Sequence, residues 1–236
     1  MDAAWILVPI SFVSSMLTAV LGIGGGVLLI SLMPGLLPAA AVVPVHGVVQ
    51  LASNVSRALF ALREVRWDLS AAFFAGACLG AAVGSQVVVA LPEKVLPVLL
   101  GAFILVVTWT PVGRLRLPGR FLTLGAVQTF ISLFVGATGP LASPLLLREG
   151  LSRDRIVATH AVMMSALHGL KIVTFAALGF ALGPYLPLLA AMTVSTTLGS
   201  WAGTRLRAKV PEARFRQALK ALLTLLALRL IFRFWV

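Results

Sequence analysis

Leu21-Gly22-Ile23-Gly24-Gly25-Gly26 is a glycine-rich stretch inside an apolar segment that runs from about Trp5 to Met33. An apolar segment of this length can cross a lipid bilayer, but each glycine in a helix interior costs about 1 kcal/mol relative to alanine. Four glycines in five positions therefore predict a helix break. Because backbone at membrane depth is tolerated outside a helix only where protein buries it or where it lines a polar cavity, we interpret the break as functional.

A second interruption of the same kind occurs in the other half of the chain. Gly136-Ala137-Thr138-Gly139-Pro140 begins 114 positions after Gly22 and interrupts an apolar segment from about Phe121 to Leu147. Broken segments at corresponding places in two halves are typical of the binding site of a transporter. The alternative interpretation is that small residues allow helices to pack closely in the membrane.

Composition places the chain in the membrane. Of its 236 residues, 60% are hydrophobic and only 11% are charged, against about 25% charged residues in soluble domains. We therefore predict an all-α polytopic membrane protein that forms a single transmembrane domain over residues 1–236, with the lipid bilayer as a partner. The net charge of +12 resides mostly in short gaps between apolar runs, where basic residues set membrane orientation, so nucleic acid is not an expected partner.

The apolar runs divide into two sets of four, which predicts an internal repeat. Repeat one covers about 5–111 and repeat two about 120–235. A shift of 114 or, after an insertion of five residues, of 119 aligns similar residues in the two halves. The aligned pairs are Gly22 with Gly136, Gly25 with Gly139, His46 with His160, Ala52 with Ala166, Arg57 with Lys171, Gly80 with Gly199, Gly84 with Gly203, and Pro92-Glu93 with Pro211-Glu212.

Loop charges predict that the two repeats are inverted. Gap 34–44 carries no charge, whereas its counterpart carries three arginines between 148 and 155. Conversely, the basic gap 63–68 corresponds to the uncharged gap 179–183. Because basic loops stay in the cytoplasm, corresponding loops lie on opposite sides, as in inverted-topology repeats.

An inverted repeat requires an odd number of crossings in each half. Four full crossings would return the chain to its starting side, so we predict that each glycine-broken segment is a re-entrant hairpin. Segment 5–33 would dip from outside and segment 121–147 from the cytoplasm. The prediction is a multi-pass membrane protein with both termini outside.

Polar residues follow one face of the second apolar segment. His46, Gln50, Ser53, Asn54 and Arg57 are spaced by 4, 3, 1 and 3 positions, which places most of them together on a helix. The equivalent segment of repeat two carries His160, Met164, His168 and Lys171. Polar side chains within a bilayer face the protein interior or an aqueous cavity. Hydrogen bonding between helices and snorkelling at helix ends remain the alternative interpretation.

Charge distribution favours an anion as the substrate. All seven carboxylates lie at segment ends or in loops, which argues against a cation pathway. The amino ends of broken helices present unpaired N–H groups and a positive dipole, which attract anions. No metal motif, nucleotide-binding loop or nucleophile triad is present in the sequence, so we expect no enzyme activity, no cofactor and no metal.

These motifs resemble the sulfite exporter TauE/SafE family of bacterial permeases for sulfur oxyanions and organosulfur anions. The resemblance covers nearly the whole chain and rests on its layout, on Gly22 to Gly26, and on Gly136 to Pro140 followed by Pro144-Leu145-Leu146. It implies an exporter of sulfite or organosulfonates that works by alternating access, with the two breaks meeting near the midplane. Pro140 departs from the fuller glycine run of the family, and it removes one N–H.

The candidate site combines the breaks with the polar stripe. We expect Gly24, Gly25, Thr138 and Gly139 to supply backbone and hydroxyl contacts to a small anionic substrate. The stripe would attract the anion and tune the two gates through the cationic and imidazole side chains His46, His160, Arg57 and Lys171, with Gln50 and Asn54 beside them.

Two other functions stay open at this level. The chain is alternatively a non-transporting assembly subunit of a larger membrane complex, or a permease for another small anion. Transport direction, proton coupling and the formation of a homodimer are also left open by the sequence.

Overall fold

The computed structural model describes residues 2–22, 24–87, 95–109, 119–207 and 212–232, which are helical with no β-strand. The α-helices of these residues are α1 (Leu7–Leu21), α2 (Gly25–Leu32), α3 (Ala39–Leu59), α4 (Trp67–Val87), α5 (Val95–Trp109), α6 (Arg120–Val135), α7 (Ser143–Leu147), α8 (Arg153–Ala177), α9 (Leu186–Leu206) and α10 (Glu212–Phe232). Short 3-10 turns cover Asp2–Ile6, Leu62–Glu64, Gly139–Leu141 and Gly183–Tyr185. The predicted all-α fold class is confirmed.

Both predicted helix breaks are present. In the first half, α1 ends at Leu21 and α2 begins at Gly25, and the intervening Gly22 and Gly24 have φ angles of +83° and +100°. In the second half, α6 ends immediately before Gly136, which has a φ of +74°. L side chains avoid this left-handed region, whereas glycine enters it without a steric penalty. The glycines therefore end each helix by backbone conformation.

Four helical stretches of the described chain are long and apolar enough to cross a membrane. They are Ala4–Leu21, Ala39–Leu59, Trp67–Val87 and Arg153–Ala177. Two further apolar helices, Arg120–Val135 and Leu223–Phe232, are shorter. This pattern is that of a helical, multi-pass membrane protein.

The helices pack in pairs. Helix α1 lies along α9, α4 lies along α6, and α5 pairs with α10. Helices α3 and α8 pack against each other, and α3 also contacts α9 while α8 contacts α4. Small residues permit close approaches, because a Cβ atom on Gly80 would collide with the Ala126 carbonyl oxygen, and one on Gly199 with that of Phe12.

Apolar packing fixes α2 beside the second break. Leu29 and Ile30 of α2 are fully buried, together with Val42 and Val45 of α3. The Ile30 side chain contacts Gly136, where a Cβ atom would collide with Ile30 Cδ1. The two breaks are therefore neighbours in the fold.

Some residues used in the sequence predictions lie outside the described ranges. These are Ile23 of the first glycine-rich stretch, and Pro92-Glu93 and Pro211 of the repeat alignment. The glutamate of the second aligned pair, Glu212, begins α10.

Candidate functional site

A cavity lies between the two helix breaks, and the polar face of α3 lines it. Its volume is about 30 Å³, roughly the space that two water molecules need. Both halves of the chain contribute to the wall, which consists of Thr18, Gly24, Gly26, Val27, His46, Gln50, Asn54, Arg57, Ala137, Gly139, Pro140, His160, Met164 and His168. No carboxylate is among these described lining residues.

The cavity brings together most of the residues expected to form the site. Those that line it are Gly24, His46, Gln50, Asn54, Arg57, Gly139 and His160. Gly25, Thr138 and Lys171 are not among the residues that line it. The helical face predicted from the spacing in α3 is thus the face turned toward the cavity.

Gly25 packs against α1 instead of facing the cavity. A Cβ atom at this position would collide with the Ser14 carbonyl oxygen and with Thr18 Oγ1. Its neighbour Gly26 lies next to the Gln50 side chain, since a Cβ there would approach Gln50 Oε1 to 3.0 Å. Gly25 therefore permits the close contact between α1 and α2 that positions Gly24 and Gly26 at the cavity.

Thr138 is buried and is bound to α6. Its carbonyl oxygen accepts a hydrogen bond of 2.9 Å from Gln128 Nε2, and its hydroxyl donates to the Gln128 carbonyl oxygen at 3.3 Å. The same Gln128 Nε2 lies 3.4 Å from the Met164 sulfur. These contacts hold the second break against α6 and α8. Gln128 is absent from the predicted site, although a glutamine within an apolar segment was a signal that pointed to it.

A histidine from each half forms a hydrogen bond with a backbone carbonyl oxygen at a helix break. His46 Nε2 lies 2.9 Å from the Gly26 carbonyl oxygen, and His160 Nε2 lies 3.0 Å from that of Gly139. Because a carbonyl oxygen only accepts hydrogen bonds, both imidazoles carry a proton on Nε2. The two histidines, which the repeat alignment pairs, make similar contacts in the two halves, offset by one residue because Gly139 aligns with Gly25.

Lys171 binds the carboxyl end of α6. Its side chain is fully buried, and Nζ donates to the Gly136 carbonyl oxygen at 2.6 Å and to His168 Nδ1 at 3.3 Å. A cation at this position is favourable because the carboxyl end of a helix carries partial negative charge. The His168 ring in turn lies 5.8 Å from that of His46, in an edge-on arrangement. Lys171 thus connects the second break to the histidines of the cavity.

Arg57 is the cation that lines the cavity directly. Its side chain is 3% exposed, with Nη1 donating to Ser53 Oγ at 3.1 Å and Nη2 donating to Asn54 Oδ1 at 2.5 Å. Among the described residues, no carboxylate forms an ion pair with it. A guanidinium has five N–H donors, so three remain after these two bonds. A buried, unpaired guanidinium beside a cavity is suited to bind an anion.

Arginines also bind the end of α1, next to the first break. Arg153 Nη2 donates to the Val20 carbonyl oxygen at 2.5 Å, and Arg207 Nε donates to that of Ala19 at 2.8 Å. Arg207 Nη1 additionally contacts Asp154 Oδ1 at 2.6 Å. These residues join α1 to the amino end of α8 and the carboxyl end of α9.

The helical membrane architecture and the cationic cavity, whose described lining residues include no carboxylate, define a membrane protein suited to hold a small anion. The chain belongs to the sulfite exporter TauE/SafE family, whose family model matches residues 7–230, nearly its whole length. Membership makes the chain a membrane transport protein of the sulfur-anion class and not an enzyme. No match was found among curated proteins or among solved structures.

Proposed function

We propose that this protein exports small sulfur oxyanions, such as sulfite or organosulfonates, across the bacterial inner membrane by alternating access between two inverted repeats. The observation that carries the proposal is the cavity between the helix breaks, which both halves line and which contains a buried arginine and three histidines but no carboxylate among its described residues. Such a wall favours an anion over a cation.

The available donors suit an oxyanion. Arg57 offers a planar fork, which binds two oxygens of one anion at once. His168 Nδ1 accepts from Lys171 Nζ, so the neutral imidazole carries its proton on Nε2 and is a donor there. In this proposal the anion contacts these donors and the backbone at Gly24 and Gly139, beside His46, His160, Gln50 and Asn54. Gly25, Thr138 and Lys171 support that wall from behind.

Helix packing supports the duplication. In the repeat alignment, α1 is equivalent to α6 and α9 is equivalent to α4. Helix α1 packs against α9, and their equivalents α6 and α4 also pack against each other. Individual contacts agree as well. Gly80 lies against the Ala126 carbonyl oxygen, and the equivalent residues Gly199 and Phe12 make the same contact. A two-fold relation between the halves accounts for both agreements, and we propose that broken segments 5–33 and 121–147 enter the membrane from opposite sides.

The size of the cavity supports a mechanism with a closed state. A space of about 30 Å³ holds about two waters, so binding or release of an anion requires the walls to separate. The end of α1 is held by Arg153 and Arg207. We propose that these contacts close the cytoplasmic side and that they break when the site opens to the cytoplasm.

Efflux of sulfite from proteoliposomes tests the proposed function. Purified protein is reconstituted into vesicles loaded with sulfite, and efflux is followed with and without a pH gradient, against chloride-loaded and protein-free vesicles. The proposal predicts protein-dependent efflux that is selective for sulfite, and the pH gradient reports whether protons are coupled. Absence of efflux from folded, inserted protein, with sulfite and with an organosulfonate, would contradict the proposal and favour the assembly-subunit alternative.

A further inference from the structure

Three buried serines from three different helices meet beside Arg57. They are Ser15 of α1, Ser53 of α3 and Ser200 of α9, and each is at most 1% exposed. Ser15 Oγ lies 2.7 Å from Ser53 Oγ and 2.6 Å from Ser200 Oγ. We call these residues the serine cluster. None of the three lines the cavity itself.

The serine cluster is connected to the cavity through Arg57. Arg57 Nη1 donates to Ser53 Oγ, and a guanidinium only donates. Ser200 donates to the Ser53 carbonyl oxygen at 3.3 Å. Because each hydroxyl has only one proton, Ser15 then donates to Ser200 and Ser53 donates to Ser15. The hydrogen bonds thus run in one direction, and each hydroxyl makes its neighbour a better acceptor.

The second half of the chain lacks this arrangement. Under the repeat alignment, Ser15, Ser53 and Ser200 correspond to Thr129, Leu167 and Ala81. Two of these three counterparts have no hydroxyl, although helices α6, α8 and α4 meet there as α1, α3 and α9 do in the first half. The cation of that half, Lys171, binds the Gly136 carbonyl oxygen instead. Helix packing alone therefore does not require the hydroxyls. They occur in the half of the chain whose cation, Arg57, lines the cavity.

We propose that the serine cluster positions the Arg57 guanidinium for anion binding, so that Ser15 and Ser200 determine substrate affinity without contacting the substrate. The inference rests on the proposed function, because it assigns these serines a role at the same site. Asn54 fixes one arm of the guanidinium and Ser53 fixes the other, and the cluster orients the Ser53 hydroxyl. The plane of the guanidinium is then set before the anion arrives, which lowers the cost of binding.

Sulfite transport by serine variants tests this role. Ser15→Ala and Ser200→Ala remove cluster hydroxyls and leave Arg57 in place. Ser14→Ala is the matched control, because Ser14 is a fully buried serine of the same helix whose hydroxyl donates only to the Ser11 carbonyl oxygen at 3.1 Å. For Ser15→Ala we expect the KM for sulfite to rise about three- to tenfold, the equivalent of one net hydrogen bond, with the maximal rate within about twofold of wild type.

The outcomes separate the inference from the proposed function. If wild-type protein transports no sulfite, the proposed function fails first. If the wild type transports sulfite but Ser15→Ala and Ser200→Ala keep its KM, or lose only maximal rate, the serines do not position Arg57. An equal rise of KM in Ser14→Ala also overturns the inference, because the hydroxyl of that serine makes its hydrogen bond to Ser11 and not to the cluster. Failure of both cluster variants to fold assigns the serines to packing and overturns it as well.

Discussion

Replacement of Arg57 by glutamine removes the buried positive charge from the cavity wall. The guanidinium keeps three N–H donors beyond its bonds to Ser53 and Asn54, enough for a two-point contact with an oxyanion. A hydrogen bond to a charged group contributes about 1.5–3 kcal/mol, so the loss of two such bonds weakens binding by about 3 kcal/mol or more. Since about 1.4 kcal/mol is tenfold in affinity, we expect the KM for sulfite to rise at least about 100-fold.

The assay is sulfite flux into proteoliposomes as a function of sulfite concentration. Arg57→Lys keeps the charge but not the planar fork, so its KM is expected to lie between those of the wild type and Arg57→Gln. Arg63→Gln is the control, because Arg63 is exposed beyond the end of α3 and is not part of the cavity wall; its KM should equal that of the wild type. A KM for Arg57→Gln within about threefold of wild type would refute the assignment of Arg57 to the anion site.

Three further predictions concern packing, the α1 contacts and topology. Gly80→Ala places a Cβ atom against the Ala126 carbonyl oxygen and should lower the stability of the protein by about 1–3 kcal/mol, measured by thermal unfolding. Gly169→Ala on α8 is the control, because a Cβ atom there meets open space, and it should be neutral or stabilising. Equal effects of the two substitutions would contradict the close approach of α4 and α6. Arg207→Gln loses the hydrogen bond to the Ala19 carbonyl oxygen and should lower the midpoint of thermal unfolding by a few degrees. Arg155→Gln is the control, because the ion pair of Arg155 with Glu64 spans 4.0 Å, and its midpoint should not change. An unchanged midpoint in Arg207→Gln would contradict a stabilising contact between Arg207 and α1. Single cysteines at residues 64 and 151, in a Cys78→Ser background, should react with an impermeant thiol reagent only from the cytoplasmic side; labelling from opposite sides would contradict the inverted topology.

The helix breaks and the polar stripe were predictable from local physics. Glycine density at Gly22 to Gly26 disfavours a continuous helix whatever the surroundings, and Gly22 and Gly24 adopt the left-handed conformation. The stripe from His46 to Arg57 was predictable because lipid excludes polar side chains. The conformational preference of glycine and the exclusion of polar side chains from lipid are therefore both visible in the fold.

The roles of individual residues depended on contacts that are distant in sequence. Arg57 and Lys171 occupy equivalent positions, yet Arg57 lines the cavity and Lys171 binds Gly136. Gly25 is the next residue after the cavity residue Gly24, but it faces Ser14 of α1 and not the cavity. Such differences arise from how the helices dock against one another.

The serine cluster shows the same limit. Ser15 and Ser200 are 185 positions apart, and each hydroxyl within an apolar segment is equally compatible with a bond to its own helix. Their meeting depends on the packing of α1 along α9. Helix pairing between the repeats was outside what spacing and composition determine, so the contacts of Ser15 with Ser53 and Ser200 were not predictable.

Counterflow of labelled sulfite tests the central claim, that this chain is a carrier with one anion site opening to alternate sides. Proteoliposomes loaded with unlabelled sulfite are diluted into a trace of labelled sulfite, and vesicles loaded with chloride serve as the control. The account predicts transient accumulation of label above equilibrium in the sulfite-loaded vesicles, because a returning site carries labelled anion inward in exchange. Equal uptake in both preparations, or none in either, would contradict it.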